Sequence, residues 1–296
     1  MANNGAERSR SRSSDKKESG RGKKEKTSQD VDKADDSQAS KSGQYQITAV
    51  GNRKNTDLES LTRSARQIAE MQESRRLGPE YCDDNKIIYP EMPDRDIANT
   101  FREIRTKMLA LSQGSNFIAM VTSVGSKGGA SFVALNLASA FSFEESKTAI
   151  LIDCNLRHPR LHDIVELDQK KGLTDYLEDT SINLEEIIYT SGIPRMRMIP
   201  VGEKRESVVE YFTSVRMKGF LDAVHNRYMD RFIFLDAPPI GESVDARILA
   251  ELCDFVVLVV EYGKVTPGKL KEAVDGVGKE KLAGVVFNRE PEMFLM

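Results

Sequence analysis

The sequence predicts an α/β fold, a mostly parallel sheet flanked by helices. Three observations predict it. From Asn116 onward, short apolar runs alternate with helical patterns, the signature of a parallel sheet covered on both faces. The first run leads through a glycine-rich turn into a helical pattern. Two later runs end in an aspartate, Asp153 and Asp236, and in such sheets ligands bind beyond the carboxyl ends of the strands.

Residues 1–45 are Ser, Lys, Arg, Asp, Glu, Gly and Gln with almost nothing apolar. Such a segment buries too little surface to offset its ordering entropy, so a disordered charged tail precedes the fold. Its basic first part (Arg8, Arg10, Arg12, Lys16, Lys17) reads either as a tether to anionic lipid or as a solubilising tail. Residues 46–96 form an amphipathic helix and a linker. Leu58, Leu61, Ala65, Ile68 and Met71 recur at helical spacing between Asp57 and Arg76. That apolar stripe docks on the main domain or on another protein. Gly78, Pro79, Pro90 and Pro93 mark 77–96 as the linker.

Residues 97–296 form the main domain. Asp96 caps a helix running from Ile97 to about Leu111. Phe117–Val121 is the first strand, and a helix follows from Ser131 to Phe143. Thr148–Ile152, Arg197–Pro200, Phe232–Leu235, Phe255–Val260 and Ala283–Phe287 are further strands.

Composition narrows the function. The 296 residues carry 43 Lys+Arg against 46 Asp+Glu, a net charge of -3 that argues against a nucleic-acid binder. Three cysteines, none in a C-x-x-C pair, exclude a disulfide scaffold, and three histidines speak against a His-rich metal centre. No apolar run approaches the roughly 20 residues that span a bilayer. The basic N-terminus is not followed by the apolar stretch of a secretory signal. A cytoplasmic chain is expected, peripheral at a membrane only through a partner.

The turn after the first strand reads Thr122-Ser123-Val124-Gly125-Ser126-Lys127-Gly128-Gly129-Ala130-Ser131. Glycines let backbone N–H groups converge on a phosphate, and the helix N-terminus adds partial positive charge. Against the P-loop pattern G-x-x-x-x-G-K-[ST], Gly129 and Ser131 fit. Ala130 stands where the lysine belongs and Val124 where the first glycine belongs. Taken alone, the loop is also readable as a plain strand-to-helix turn. Asp153 and Asp236 add what a phosphate site needs, carboxylates that hold Mg²⁺ and its waters.

From Ile97 to Arg289 the chain resembles the cytoplasmic domain of bacterial tyrosine kinases (BY-kinases), P-loop NTPase-like proteins within the wider group of partition-type ATPases. The resemblance is carried by several motifs in order. Phe101-Arg102-Glu103-Ile104-Arg105-Thr106 is similar to the family's oligomerisation helix. Ile152-Asp153-Cys154-Asn155-Leu156-Arg157-His158-Pro159 resembles its Walker A′ element. Leu235-Asp236-Ala237-Pro238-Pro239 resembles Walker B, and Gly284-Val285-Val286-Phe287-Asn288-Arg289 completes the series. The resemblance implies ATP and Mg²⁺ as ligands. Gly125, Ser126, Lys127, Gly128, Gly129 and Ser131 would hold the nucleotide, and Ser131, Asp153 and Asp236 the metal. Asp153 and Asp236 take the family's catalytic positions, and Arg102 and Arg105 its subunit contact. It also implies exopolysaccharide or capsule synthesis and export as the setting, an inner-membrane polysaccharide co-polymerase as partner, and self-association.

Departures from the family pattern set the expectation for chemistry. Ala130 cannot carry the charge of the family's P-loop lysine, and Asn155 replaces the second Walker A′ carboxylate. Asn99 replaces the acid that opens the oligomerisation motif, and no tyrosine follows Tyr262, where the family carries its acceptor tail. Deleting one electrostatic stabiliser typically costs about 10² to 10³ in rate. The expectation is weak or absent ATP and Mg²⁺ binding and a catalytically impaired regulator. One alternative is an active kinase or ATPase that uses Lys127; another is a partition-type positioning ATPase.

Overall fold

The computed structural model describes residues 76–291 except 94, 166–170, 204–208 and 228–230, together with residues 62, 65, 66, 68 and 71 ahead of them. The charged tail and most of the amphipathic segment therefore lie outside the described residues. Thr62, Ala65, Arg66 and Ile68 are helical, and Ile68 is buried. Among the described residues no helix is long and apolar enough to cross a membrane.

The sheet has seven strands: β1 (Ile118–Ser123), β2 (Thr148–Asp153), β3 (Tyr189–Thr190), β4 (Met196–Ile199), β5 (Arg231–Asp236), β6 (Phe255–Glu261) and β7 (Leu282–Asn288). Their order is β3-β4-β2-β5-β1-β6-β7, and all neighbours run parallel except β3 against β4. This is the predicted architecture. The two-residue β3 is the strand the sequence reading lacks.

Burial on both faces explains the apolar runs. On one face Phe232 and Phe234 of β5 pack with Phe117 and Phe141, the Phe117 ring lying 4.9 Å from Phe232 and 5.5 Å from Phe141. On the other, Ile233 and Leu235 pack with Phe220 and Leu221 of the helix Val215–Arg227.

Helix α1 (Pro79–Asp84) and helix α2 (Arg95–Leu111) precede β1, and α3 (Ala130–Ser142) follows it. Asp96, expected as a cap, lies inside the first turn of α2. The expected linker 77–96 packs against the domain instead. Gly78-Pro79 starts a helix, with proline at its first position. Ile87 and Ile88 are fully buried. Asn136 of α3, itself buried, accepts the Ile88 N–H at 2.8 Å and donates to the Lys86 carbonyl at 3.1 Å. The glycine and prolines here are punctuation around short packed pieces.

Candidate functional site

Register brings the candidate residues together. Asp153, the last residue of β2, pairs with Asp236, the last of β5, and Val121 of β1 pairs with Asp236 from the other side. Both aspartates and the glycine-rich loop therefore meet at one edge of the sheet. The loop residues Lys127, Gly129 and Ser131 line a cleft of about 1150 Å³ together with Asn155, Arg157 and Arg289, whereas neither aspartate is part of its lining.

The loop needs glycine at its end. Gly129 is the N-cap of α3 at φ 90°, and a Cβ there would lie 2.1 Å from Asn288 Nδ2. That amide donates to the Gly128 carbonyl at 3.0 Å, so the end of β7 braces the loop. Lys127 sits at φ 63° and is exposed on the cleft rim. Ala130 is buried as the first residue of α3.

Both aspartates are fully buried. Asp153 accepts the Asn155 N–H at 3.0 Å and, more weakly, the Arg160 and Leu161 N–H groups at 3.4 Å. Burial outweighs these bonds and pushes its carboxyl up to about 7. Asp236 is pushed well above the usual carboxylate range, first by burial and then by the neighbouring Asp153 charge. The Ser131 hydroxyl pulls the other way, but at a geometry short of a hydrogen bond, and both Asp236 oxygens lack a partner among the described residues. Among the described residues no cation contributes to either shift.

Orphaned buried oxygens beside a serine hydroxyl fit a hydrated Mg²⁺, so Ser131 and Asp236 would hold it. Among the described residues no group of three or more His, Cys, Asp or Glu side chains could hold a metal alone. Waters and phosphate oxygens would have to complete its shell. Backbone N–H groups of the loop fit phosphates, but position 130 supplies no charge.

Other candidates fall on the rim or elsewhere. Arg157 Nε lies 3.6 Å from Asp245 Oδ2, and Asp245 is buried. Arg289 pairs with Glu261 at 3.1 Å. Asn155, which also lines the cleft, leaves its Oδ1 buried and without a partner among the described residues. Arg102 and Arg105 lie on α2, outside the cleft. Arg102 donates to Asn99 Oδ1 and the Pro90 carbonyl, and Arg105 to the Ala140 carbonyl at 2.9 Å. Both therefore brace their own domain.

Sequence reasoning missed Glu242. Its two carboxylate oxygens accept the backbone N–H of Ser126, at 3.1 Å, and the Ser126 hydroxyl. These bonds, the hydroxyl first, hold its carboxyl below the usual range. No local pattern marks a contact between residues 116 positions apart.

This fold defines an α/β domain of the P-loop NTPase-like class. No protein-family model matches the chain. Tyrosine-protein kinase CpsD of Streptococcus agalactiae is 31% identical over 196 residues, 65% of this chain and 83% of CpsD. Tyrosine-protein kinase YwqD of Bacillus subtilis is 31% identical over 191 residues and is covered over 79% of its length. The chain belongs to the bacterial tyrosine-protein kinase family. EpsB of Ralstonia solanacearum is 28% identical over 205 residues, and there the match spans 27% of the longer protein. Two solved structures share the fold. The chimerical protein CapA2B2 has a TM-score of 0.64 at 23% identity, covering 78% of this chain and 99% of its own. The kinase domain of Escherichia coli tyrosine kinase ETK has a TM-score of 0.62 at 19% identity, covering 76% and 86%.

Proposed function

We propose that this protein is a phosphotransfer-impaired member of its family that regulates exopolysaccharide or capsule synthesis and export, acting with an inner-membrane polysaccharide co-polymerase. One observation carries the reading: two buried carboxylates end paired strands beside a phosphate-type loop in which Ala130 stands at the lysine position. Phosphoryl transfer depends on positioning and on charge that stabilises the migrating phosphoryl group. Ala130 removes that charge from the loop, while Ser131 and Asp236 keep the place for a metal. Nucleotide binding with little turnover follows, and the domain then serves as a nucleotide-sensitive assembly element rather than a catalyst. Kinship with CpsD and YwqD supports the family setting.

The test is autophosphorylation of the full chain with Mg²⁺-ATP, with and without the cytoplasmic segment of the co-polymerase from the same operon. Absence of phosphotyrosine, with binding of a nonhydrolysable ATP analogue by calorimetry, is the expected result. Robust phosphotyrosine that disappears in Asp236→Ala overturns the reading. If Lys127→Ala also abolishes it, Lys127 has taken over the missing role.

A further inference from the structure

The glycine-rich loop already carries an anion of its own. Glu242 presents both carboxylate oxygens to Ser126, one to the backbone N–H and one to the hydroxyl. A phosphate in the loop needs donors of the same kind at the same place.

The placement of Glu242 is built into the backbone. The segment 237–242 that follows β5 is fastened to the end of β1. Thr122 Oγ1 donates to the Pro238 carbonyl at 2.6 Å, and the Ile240 N–H donates to the Ser123 carbonyl at 2.9 Å. The Glu242 N–H then closes a turn onto the Pro239 carbonyl at 3.1 Å. Gly241 permits this approach, because a Cβ there would lie 2.5 Å from the Val124 carbonyl oxygen. The chain therefore delivers an acidic side chain to the loop along a short, hydrogen-bonded path.

We infer that Glu242 is an intramolecular competitor for phosphate and sets the nucleotide affinity of the loop. An N–H that donates to the carboxylate is unavailable to a phosphoryl oxygen, and a carboxylate left beside the phosphate repels it. Binding of a nucleoside diphosphate or triphosphate then requires Glu242 to swing out. Its side chain is exposed and can do so without unpacking the core. The inference rests on the proposed reading of the cleft as a nucleotide site.

Calorimetric titration of Mg²⁺-ADP, and separately of pyrophosphate, into the full-length chain, Glu242→Ala and Glu242→Gln tests it. Circular dichroism confirms that the variants fold. Glu242→Ala is expected to bind both probes about tenfold tighter, equivalent to about 1.4 kcal/mol. Glu242→Gln is expected to recover most of that gain, because charge and not shape opposes the phosphate. Measurable binding that differs by less than twofold among the three proteins overturns the competition and leaves the nucleotide site standing. No binding by any of them, all folded, overturns both the competition and the nucleotide reading.

Discussion

At the scale of single residues, the proposed reading turns on Ala130, which brings no charge to the loop. Ala130→Lys places an ammonium at the start of α3, close to two carboxylates that lack one. Nucleotide affinity is expected to rise about tenfold, or 1.4 kcal/mol, by calorimetry. Unchanged affinity in a folded variant assigns the obstruction to Phe132 or to the loop's shape. The aspartates make a separate prediction about pH. A carboxyl whose folded pKa lies above its unfolded value holds its proton in the native state after the unfolded chain has lost it. Its contribution to stability is therefore full below the unfolded pKa, about 3.9, and is lost as pH rises through the folded value, about 7 for Asp153. The ligand-free protein should lose stability across that window. Asp236→Asn removes one of the two neighbouring buried charges, so it should be more stable than the parent at pH 8. The gap should narrow at pH 5. An equal gap at both values would show that burial of Asp236 has no titration cost.

At the scale of elements, apolar runs proved the most legible feature. The run Thr148–Ile152 became β2, Thr148–Asp153, and Phe255–Val260 became β6, Phe255–Glu261. Fully buried strands leave little room for error, since a polar residue ends them. β3 was invisible because two residues, Tyr189 and Thr190, have no periodicity to read. The segment 77–96 misled for a different reason: its prolines and glycine mark local turns, whereas what fixes it lies in α3. The convergence of Asp153, Asp236 and the glycine-rich loop was readable, because each ends a strand. The Glu242 contact was not, because tertiary packing alone creates it. Asn136 tests this view of the segment. Asn136→Ala strands the buried Ile88 N–H and frees the Lys86 carbonyl. Chemical denaturation should report a loss of about 2–3 kcal/mol. A loss under 0.5 kcal/mol would mean the segment is held by Ile87 and Ile88 alone.

At the scale of the whole molecule, the aromatic rings gather where one face of the sheet meets α3. The Phe117 ring touches Phe141, Phe232, Phe234 and Phe255 at centroid distances of 4.9–6.0 Å. Phe117→Ala should cost about 3–5 kcal/mol in urea unfolding, with a slope that stays constant if the chain still unfolds as a unit. A small cost would show that neighbouring rings close the cavity. The strand order has a further consequence, which concerns time. β1 lies between β5 and β6, so Ile118 waits for Ile233, and Ala119 for Phe255. On the ribosome the glycine-rich loop emerges long before either partner of its strand has been synthesised. A nascent chain halted ahead of β5 exposes β1 as an unpaired apolar segment, the kind of surface on which chaperones act. Such a stalled chain should be cut readily by protease within 117–123, and should acquire resistance only once translation has passed β6.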